Sequence, residues 1–164
     1  MIDKREQIMV HLMDLLGQVA GVQGVYRDRG QLPPVEKTPG IILLDGTERI
    51  RTSLEDRNFT AMPDAVFTMR PQVFMVLTPR DDLRNETLGG ISAPIGPEIS
   101  SFRMKILSAI LGDETLPLLV GDNGSVVYEG MDTDMQTGST MGELGATIQF
   151  HFAISYVLNL SNLA

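Results

Sequence analysis

The sequence predicts a single α+β domain, with an antiparallel or mixed sheet of about five or six strands and two helices packed on one face. Three observations support this fold class. The first residues repeat apolar side chains at helical spacing, the last residues alternate apolar and polar side chains, and turn-forming residues separate short apolar runs between them. At 164 residues, the chain fits one domain over 1–164 that buries roughly two thirds of its unfolded surface.

The first helix is predicted from Asp3 to Ala20. Asp3 is a candidate N-cap, and Glu6 follows three residues later in the reciprocal capping arrangement. Gly21 is expected to end the helix, because glycine readily adopts the left-handed conformation that follows many helices. The predicted core face consists of Ile8, Leu12, Leu15, Leu16 and Val19.

Strands and one long loop are predicted next. Val22–Arg27 is expected to be a strand, and the loop Asp28–Pro39 that follows is long enough to suggest a function. Gly40–Leu44 is continuously apolar, as in a strand covered on both sides. Asp45-Gly46 is typical of a hairpin turn, and Thr47–Arg51 is the expected return strand.

The middle of the chain predicts two strand segments, a loop and a helix. Ala65–Met69 and Val73–Leu77 are strand-like, and Pro71 between them favours a bulge or an edge position because proline cannot donate to the ladder. Thr78–Ile95 is a second long loop. A helix beginning near Pro97 and ending at Gly112 repeats apolar residues on one face, namely Ile99, Phe102, Ile106 and Ile110.

The last third predicts a hairpin and a long strand. Leu116–Val120 and Ser125–Glu129 flank the turn-forming residues Gly121 to Gly124, and the polar stretch Gly130–Gly142 follows. The final strand could span about 40 Å, so one end is expected to project beyond the sheet. Its inward residues are predicted to be Ile148, Phe150, Phe152, Ile154, Tyr156 and Leu158.

Composition narrows the range of functions. Thirteen basic against 21 acidic residues give a formal charge of −8, so attraction to nucleic acid is not expected to drive function. The absence of cysteine excludes disulfides, thiolate zinc sites and a cysteine nucleophile. No apolar run reaches the roughly 18 residues that a membrane span needs, and we expect a soluble, cytoplasmic protein without a membrane partner.

The ionisable residues predict neither an enzyme nor a metal or cofactor site. His11 and His151 lie far apart in the sequence and lack the spacing of a metal-binding motif, so each is expected to be satisfied locally or exposed to solvent. Asp132 and Asp134 are explained by hydrogen bonding in turns. Gly89-Gly90 lacks the lysine and hydroxyl residue of a phosphate loop. The alternative is a small metal-dependent hydrolase built from Asp132, Asp134 and His151.

The block GVQGVYRDRGQLPPVEKTPGIILLDGTERI, from Gly21 to Ile50, carries a family resemblance. Together with the strand pair around MRPQVFMVL, the helix opened by Pro97 and the closing alternating strand, it resembles the tail terminator (tail completion) proteins of long-tailed phages, the siphophages. The resemblance covers nearly the whole chain. It implies a structural virion protein at the tail neck, assembled in the host cytoplasm, that forms a hexameric ring and caps the head-proximal end of the tail tube.

The resemblance also implies partners. These are further copies in the ring, the tail tube protein, whose polymerisation the ring ends, and the head–tail connector or head completion protein that docks on it. Six copies of charge −8 would carry −48, so DNA is expected to pass through the channel without specific binding. Another head–tail connector or head completion protein is the nearer alternative. The interface candidates are Arg27, Asp28, Arg29, Gln31, Glu36, Lys37, Arg80, Asp81, Asp82, Arg84 and Glu86.

Overall fold

A computed structural model describes residues 3–50, 64–77, 95–136 and 145–159. These residues form a five-stranded mixed sheet and three helices, which confirms the α+β prediction. The helices are α1 (Lys4–Gly17), α2 (Ile95–Leu111) and α3 (Thr115–Val120), and a short 3-10 turn spans Val35–Lys37. The strands are β1 (Gly24–Arg27), β2 (Gly40–Ile50), β3 (Asp64–Val76), β4 (Ser125–Gln136) and β5 (Gly145–Asn159).

The strand order across the sheet is β1-β2-β3-β5-β4. β1 runs parallel to β2, and every other neighbouring pair is antiparallel. Alternate residues of the central strands, such as Ile41, Met75 and Ile148, are fully buried in one core with side chains of all three helices. The helices therefore cover one face of the sheet, which we call the helical face, and the other is the open face.

The first helix begins as predicted but ends earlier. The side chain of Asp3 accepts a hydrogen bond from the backbone N–H of Arg5 at 3.3 Å, which confirms the N-cap. The reciprocal half of the predicted cap is wrong, because both oxygens of the Glu6 carboxylate accept from Arg27. The helix ends at Gly17, because the N–H groups of Gln18 and Val19 bond three residues back and tighten the chain into turns. All five predicted core residues of this segment are buried.

The hairpin predicted at Asp45-Gly46 is wrong. β2 continues from Gly40 to Ile50, and a bulge between Leu44 and Thr47 takes the place of the turn. Gly46 has a φ of +67°, which explains why the two residues look like a turn in the sequence. Pro71 lies opposite this bulge inside the single strand β3, as a proline in a strand requires.

The hairpin predicted around Gly121 to Gly124 is also wrong, because its first arm is α3. The carboxylate of Asp113 accepts hydrogen bonds from the N–H groups of Thr115 and Leu116, which starts the helix. Leu116 and Val120, four residues apart, are buried on one side of it. Its second arm is the beginning of β4, which runs on to Gln136 through part of the stretch predicted to be an irregular polar segment.

The closing strand is confirmed. Ile148, Phe150, Phe152, Ile154 and Tyr156 are all buried, and Leu158 is half-buried. Each residue from Gly145 to Asn159 lies beside a partner in β3 or β4. The prediction that one end of this strand projects beyond the sheet is therefore wrong for residues 145–159.

Candidate interaction surfaces

An ionic cluster joins α1 to the ends of β1 and β2. Arg27 donates to both carboxylate oxygens of Asp45, at 2.7 and 2.8 Å, and to both oxygens of Glu6, at 2.6 and 2.9 Å. Arg5 lies 3.3 Å from Asp45 and 3.4 Å from Glu48. Paired N–H donors on one guanidinium fix the geometry of each carboxylate as well as attracting its charge. The cluster therefore fixes the start of the loop at residues 28–39 against the helix.

The cluster shifts the titration of its members. Hydrogen bonds from Arg27 hold the pKa of Glu6 and that of Asp45 below their ordinary values of 4.5 and 3.8. Burial raises the pKa of Tyr156, and so does the hydrogen bond that its hydroxyl donates to Glu48 at 2.5 Å. Tyr156 thus connects the cluster to the core through the closing strand.

The lowered pKa values predict acid sensitivity. A carboxyl group whose folded pKa is lowered stabilises the fold above its unfolded pKa, and this contribution disappears as the pH falls through the folded value. We therefore expect the free energy of unfolding to decrease as the pH drops below the ordinary values of 4.5 and 3.8. Urea denaturation at several pH values would measure this decrease. The Asp45→Asn variant should show a shallower decrease than the wild type, and an equal slope would contradict the assignment.

The loop at residues 28–39 packs against the sheet at both of its ends. Asp28 has a φ of +48°, and its carboxylate accepts a hydrogen bond from the backbone N–H of Asp45 at 3.0 Å. At the other end Pro33 is buried, and a methyl group added to Gly40 would lie 3.0 Å from its ring. The loop is therefore packed onto the sheet and forms part of the folded surface of the domain.

The interface candidates of this loop occupy different environments. Arg27 is committed to the ionic cluster, with 25% of its side chain exposed. Arg29 is half-buried, and its guanidinium lies 4.7 Å from the centre of the Tyr26 ring. Asp28, Gln31, Glu36 and Lys37 are exposed. The remaining candidates, Arg80, Asp81, Asp82, Arg84 and Glu86, lie outside the described residues.

An apolar groove of about 410 Å³ runs between this loop and the open face. Ile42, Leu44 and Phe74 form its floor, and Leu32 of the loop, which is 51% exposed, forms part of its wall. This loop groove, like most binding grooves, combines an apolar floor with a few polar groups at its margin.

A second apolar surface lies on the helices. Met104 and Leu111 of α2 and Leu118 of α3 are 57%, 47% and 80% exposed, and each is seven residues from the next. We call these three residues the helical stripe. Met104 borders a groove of about 600 Å³ between α1 and α2, while the other two border a groove of about 450 Å³ beside α3. Exposed apolar side chains that line one groove, as Leu111 and Leu118 do, are typical of protein contact sites.

Both histidines are paired with an aspartate, in agreement with the prediction that each would be satisfied locally or exposed to solvent. His11 Nε2 lies 2.7 Å from Asp113, and His151 Nε2 lies 2.7 Å from Asp132 across β4 and β5. Burial would raise the pKa of Asp113, but the hydrogen bonds from His11 and the backbone outweigh this effect and lower it. In residues 3–50, 64–77, 95–136 and 145–159, no three His, Cys, Asp or Glu side chains are grouped to hold a metal ion.

Sequence reasoning missed two features. The ionic cluster combines residues that are 18 and 21 positions apart, and nothing in their spacing indicates a contact. The helical stripe has a signal, because Met104 and Leu111 are apolar residues out of phase with the buried residues Phe102, Ile106 and Ile110. Apolar residues outside the core face of an amphipathic helix indicate a second contact surface.

No helix in the described part of the chain is long and apolar enough to cross a membrane. Comparison with protein-family models finds no match for this chain, and comparison with curated proteins also finds none.

Proposed function

We propose that this protein is a tail terminator subunit of a long-tailed phage. Copies of it would form a hexameric ring at the tail neck of the virion, cap the head-proximal end of the tail tube and end its polymerisation. The ring would also provide the docking surface for the head connector. The observation that carries the proposal is apolar surface exposed on both sides of the subunit, in the helical stripe and in the loop groove.

The position of the helical stripe suits an axial contact. Leu118 lies in α3, and the turn at residues 121–124 connects α3 directly to the start of β4. The stripe therefore reaches one end of the strands. A ring stacked on a tube must contact it through one end of each subunit, so we assign the stripe to the contact with the tail tube.

The loop at residues 28–39 supports an assembly role through its rigidity. The backbone N–H of Asp28 donates to the carbonyl oxygen of Leu43 in β2 at 2.9 Å, and the ionic cluster holds the adjacent Arg27, so the start of the loop is ordered before a partner binds. Such preorganisation reduces the entropy lost on association. The formal charge of −8 fits a channel through which DNA passes without adhesion.

Ring formation and tube binding test the proposal directly. Size-exclusion chromatography with light scattering and negative-stain electron microscopy should be performed on the chain alone and after addition of tail tubes. Rings of six at the tube end are the expected result. Another head–tail connector would form rings with a different number of subunits or different neighbours. A stable monomer that ignores tubes, or one that turns over a substrate, would contradict the proposal.

Leu118→Asp should weaken binding to tail tubes at least tenfold, because a carboxylate would be buried in the apolar contact. Its melting temperature should stay close to that of the wild type, since 80% of the leucine is exposed. Leu118→Met is the matched control, because it keeps the apolar area and should bind normally. Equal tube binding by Leu118→Asp and Leu118→Met would show that the helical stripe does not contact the tail tube.

A further inference from the structure

The two edges of the sheet differ in length and in charge. In the described residues, β1 has a strand neighbour only at β2, and β4 has one only at β5. Alternate residues of an edge strand direct N–H and C=O groups away from the sheet, where they can pair with another chain. β1 provides four residues and β4 twelve.

The pairing registers place parts of both edges at the same level along the strands. Tyr26 of β1 is connected through one residue of each intervening strand to Asp132 of β4, and Gly24 is connected in the same way to Asp134. The first row is Tyr26, Ile42, Phe74, Gln149 and Asp132, and the second is Gly24, Gly40, Val76, Thr147 and Asp134. A neighbouring copy placed beside β4 can therefore bring its Tyr26 and Gly24 opposite Asp132 and Asp134.

Strand directions also suit this join. β1 is parallel to β2, and each of the three further steps across the sheet reverses the direction, so β4 runs opposite to β1. A rotated copy would bring its β1 antiparallel to β4 of its neighbour. Rotation without translation joins two unlike edges, which is the kind of contact that closes a ring.

The charges disfavour pairing between two identical β4 edges. β4 carries Glu129, Asp132 and Asp134 and no lysine or arginine. Two such strands side by side would bring like charges together, which destabilises a strand pair. Asp132 is 78% exposed, and Asp134 has no ion pair in the part of the chain that the structure describes.

The β1 edge offers a matching cation. Arg29 lies over the ring of Tyr26, and Tyr26 occupies the same row as Asp132. Arg29 makes no ion pair within the described residues, so its charge is available. The rows containing Tyr26 and Gly24 alternate with rows of core residues such as Ile41 and Ile148, so the aspartates lie on the open face with Tyr26.

We propose that β4 of one copy pairs antiparallel with β1 of the next copy, with Asp132 beside Tyr26 and Arg29 bound to the carboxylates of Asp132 and Asp134. This inference rests on the proposed ring, and it names the surfaces that close it. The sheets of successive copies become one continuous sheet around the ring. The helical stripe remains outside this join and is free for a different partner.

A disulfide between copies tests the join. Val25 and Thr133 are the two ends of the row that lies between the Tyr26 row and the Gly24 row. Because the chain has no cysteine, the double variant Val25→Cys with Thr133→Cys introduces the only thiols. Within one copy these positions are four strand spacings apart, about 19 Å, too far for a disulfide. Mild oxidation should therefore produce a ladder of linked oligomers on a denaturing gel, and reduction should return it to the single monomer band. Val25→Cys with Val127→Cys, a mismatched pair, should give no ladder.

A charge exchange provides the second readout. Arg29→Glu and Asp134→Arg should each weaken self-association at least tenfold, and the double variant should recover most of the loss. A ladder together with this recovery supports edge pairing. Rings seen by microscopy without a ladder would overturn the edge pairing and leave the proposed function standing. A ladder from a protein that never binds tail tubes would keep the pairing and contradict the terminator assignment, and a chain that stays monomeric even with tubes would contradict both.

Discussion

Gly46→Ala should lower the free energy of unfolding by about 3 kcal/mol or more. Gly46 has a φ of +67°, a conformation that costs energy for a residue with a side chain. An added Cβ would also overlap the carbonyl oxygen of Arg70 on β3, so the two strands would have to separate at the bulge. Chemical denaturation of both proteins would measure the loss.

Two further variants separate the causes of this effect. Gly46→Asn tolerates a positive φ better than alanine but carries the same Cβ, so it should be nearly as unstable if the overlap dominates. Gly30→Ala is the control, because a methyl group there meets nothing within 4 Å and its stability should be unchanged or slightly raised. A loss of less than about 1 kcal/mol for Gly46→Ala would contradict the described bulge.

Arg27→Met should cost about 2 kcal/mol of unfolding free energy. The substitution keeps much of the aliphatic stem but removes the donors to Glu6 and Asp45. The two carboxylates lose the cation that they share, and Arg5 remains beside Asp45 at 3.3 Å. Water can reach part of the cluster, because 44% of the Glu6 side chain is exposed, and this limits the loss.

A double-mutant cycle tests whether the cluster acts as a unit. Arg27→Met combined with Asp45→Asn should cost less than the sum of the two single changes, because each variant removes part of the same interaction. Lys37→Met is the matched control, since this exposed lysine lies outside the cluster and its loss should change stability by less than about 0.5 kcal/mol. Strict additivity in the cycle would show that Arg27 and Asp45 contribute independently.

Local patterns predicted the elements that local physics controls. The opening helix has its cap at Asp3 and its apolar face as expected, because both depend on residues within a few positions of each other. The closing strand follows its alternating pattern for the same reason. The hairpin predicted from Asp45-Gly46 is wrong, because the positive φ of Gly46 belongs to a β-bulge in β2. That bulge arises from the pairing of β2 with β3, which the local sequence does not contain.

The candidate surfaces were partly predictable. The loop at residues 28–39 was identified from its length and prolines, and its side chains Gln31, Glu36 and Lys37 are exposed as a contact surface requires. The role of Arg27 in the ionic cluster was not predictable, because its two carboxylate partners come from α1 and β2. The spacing of residues along the chain does not indicate which distant segments come into contact.

The sequence by itself determined the fold class, the start and apolar face of the first helix, the closing strand, the net negative charge and the absence of cysteine. These follow from composition and from periodicities over a few residues. Only the tertiary structure decided the strand order, the parallel placement of β1 and the rows that set Tyr26 level with Asp132. These three features depend on which distant segments pack together. The free energy of that packing comes from contacts across the whole core, so no single segment of the sequence specifies it.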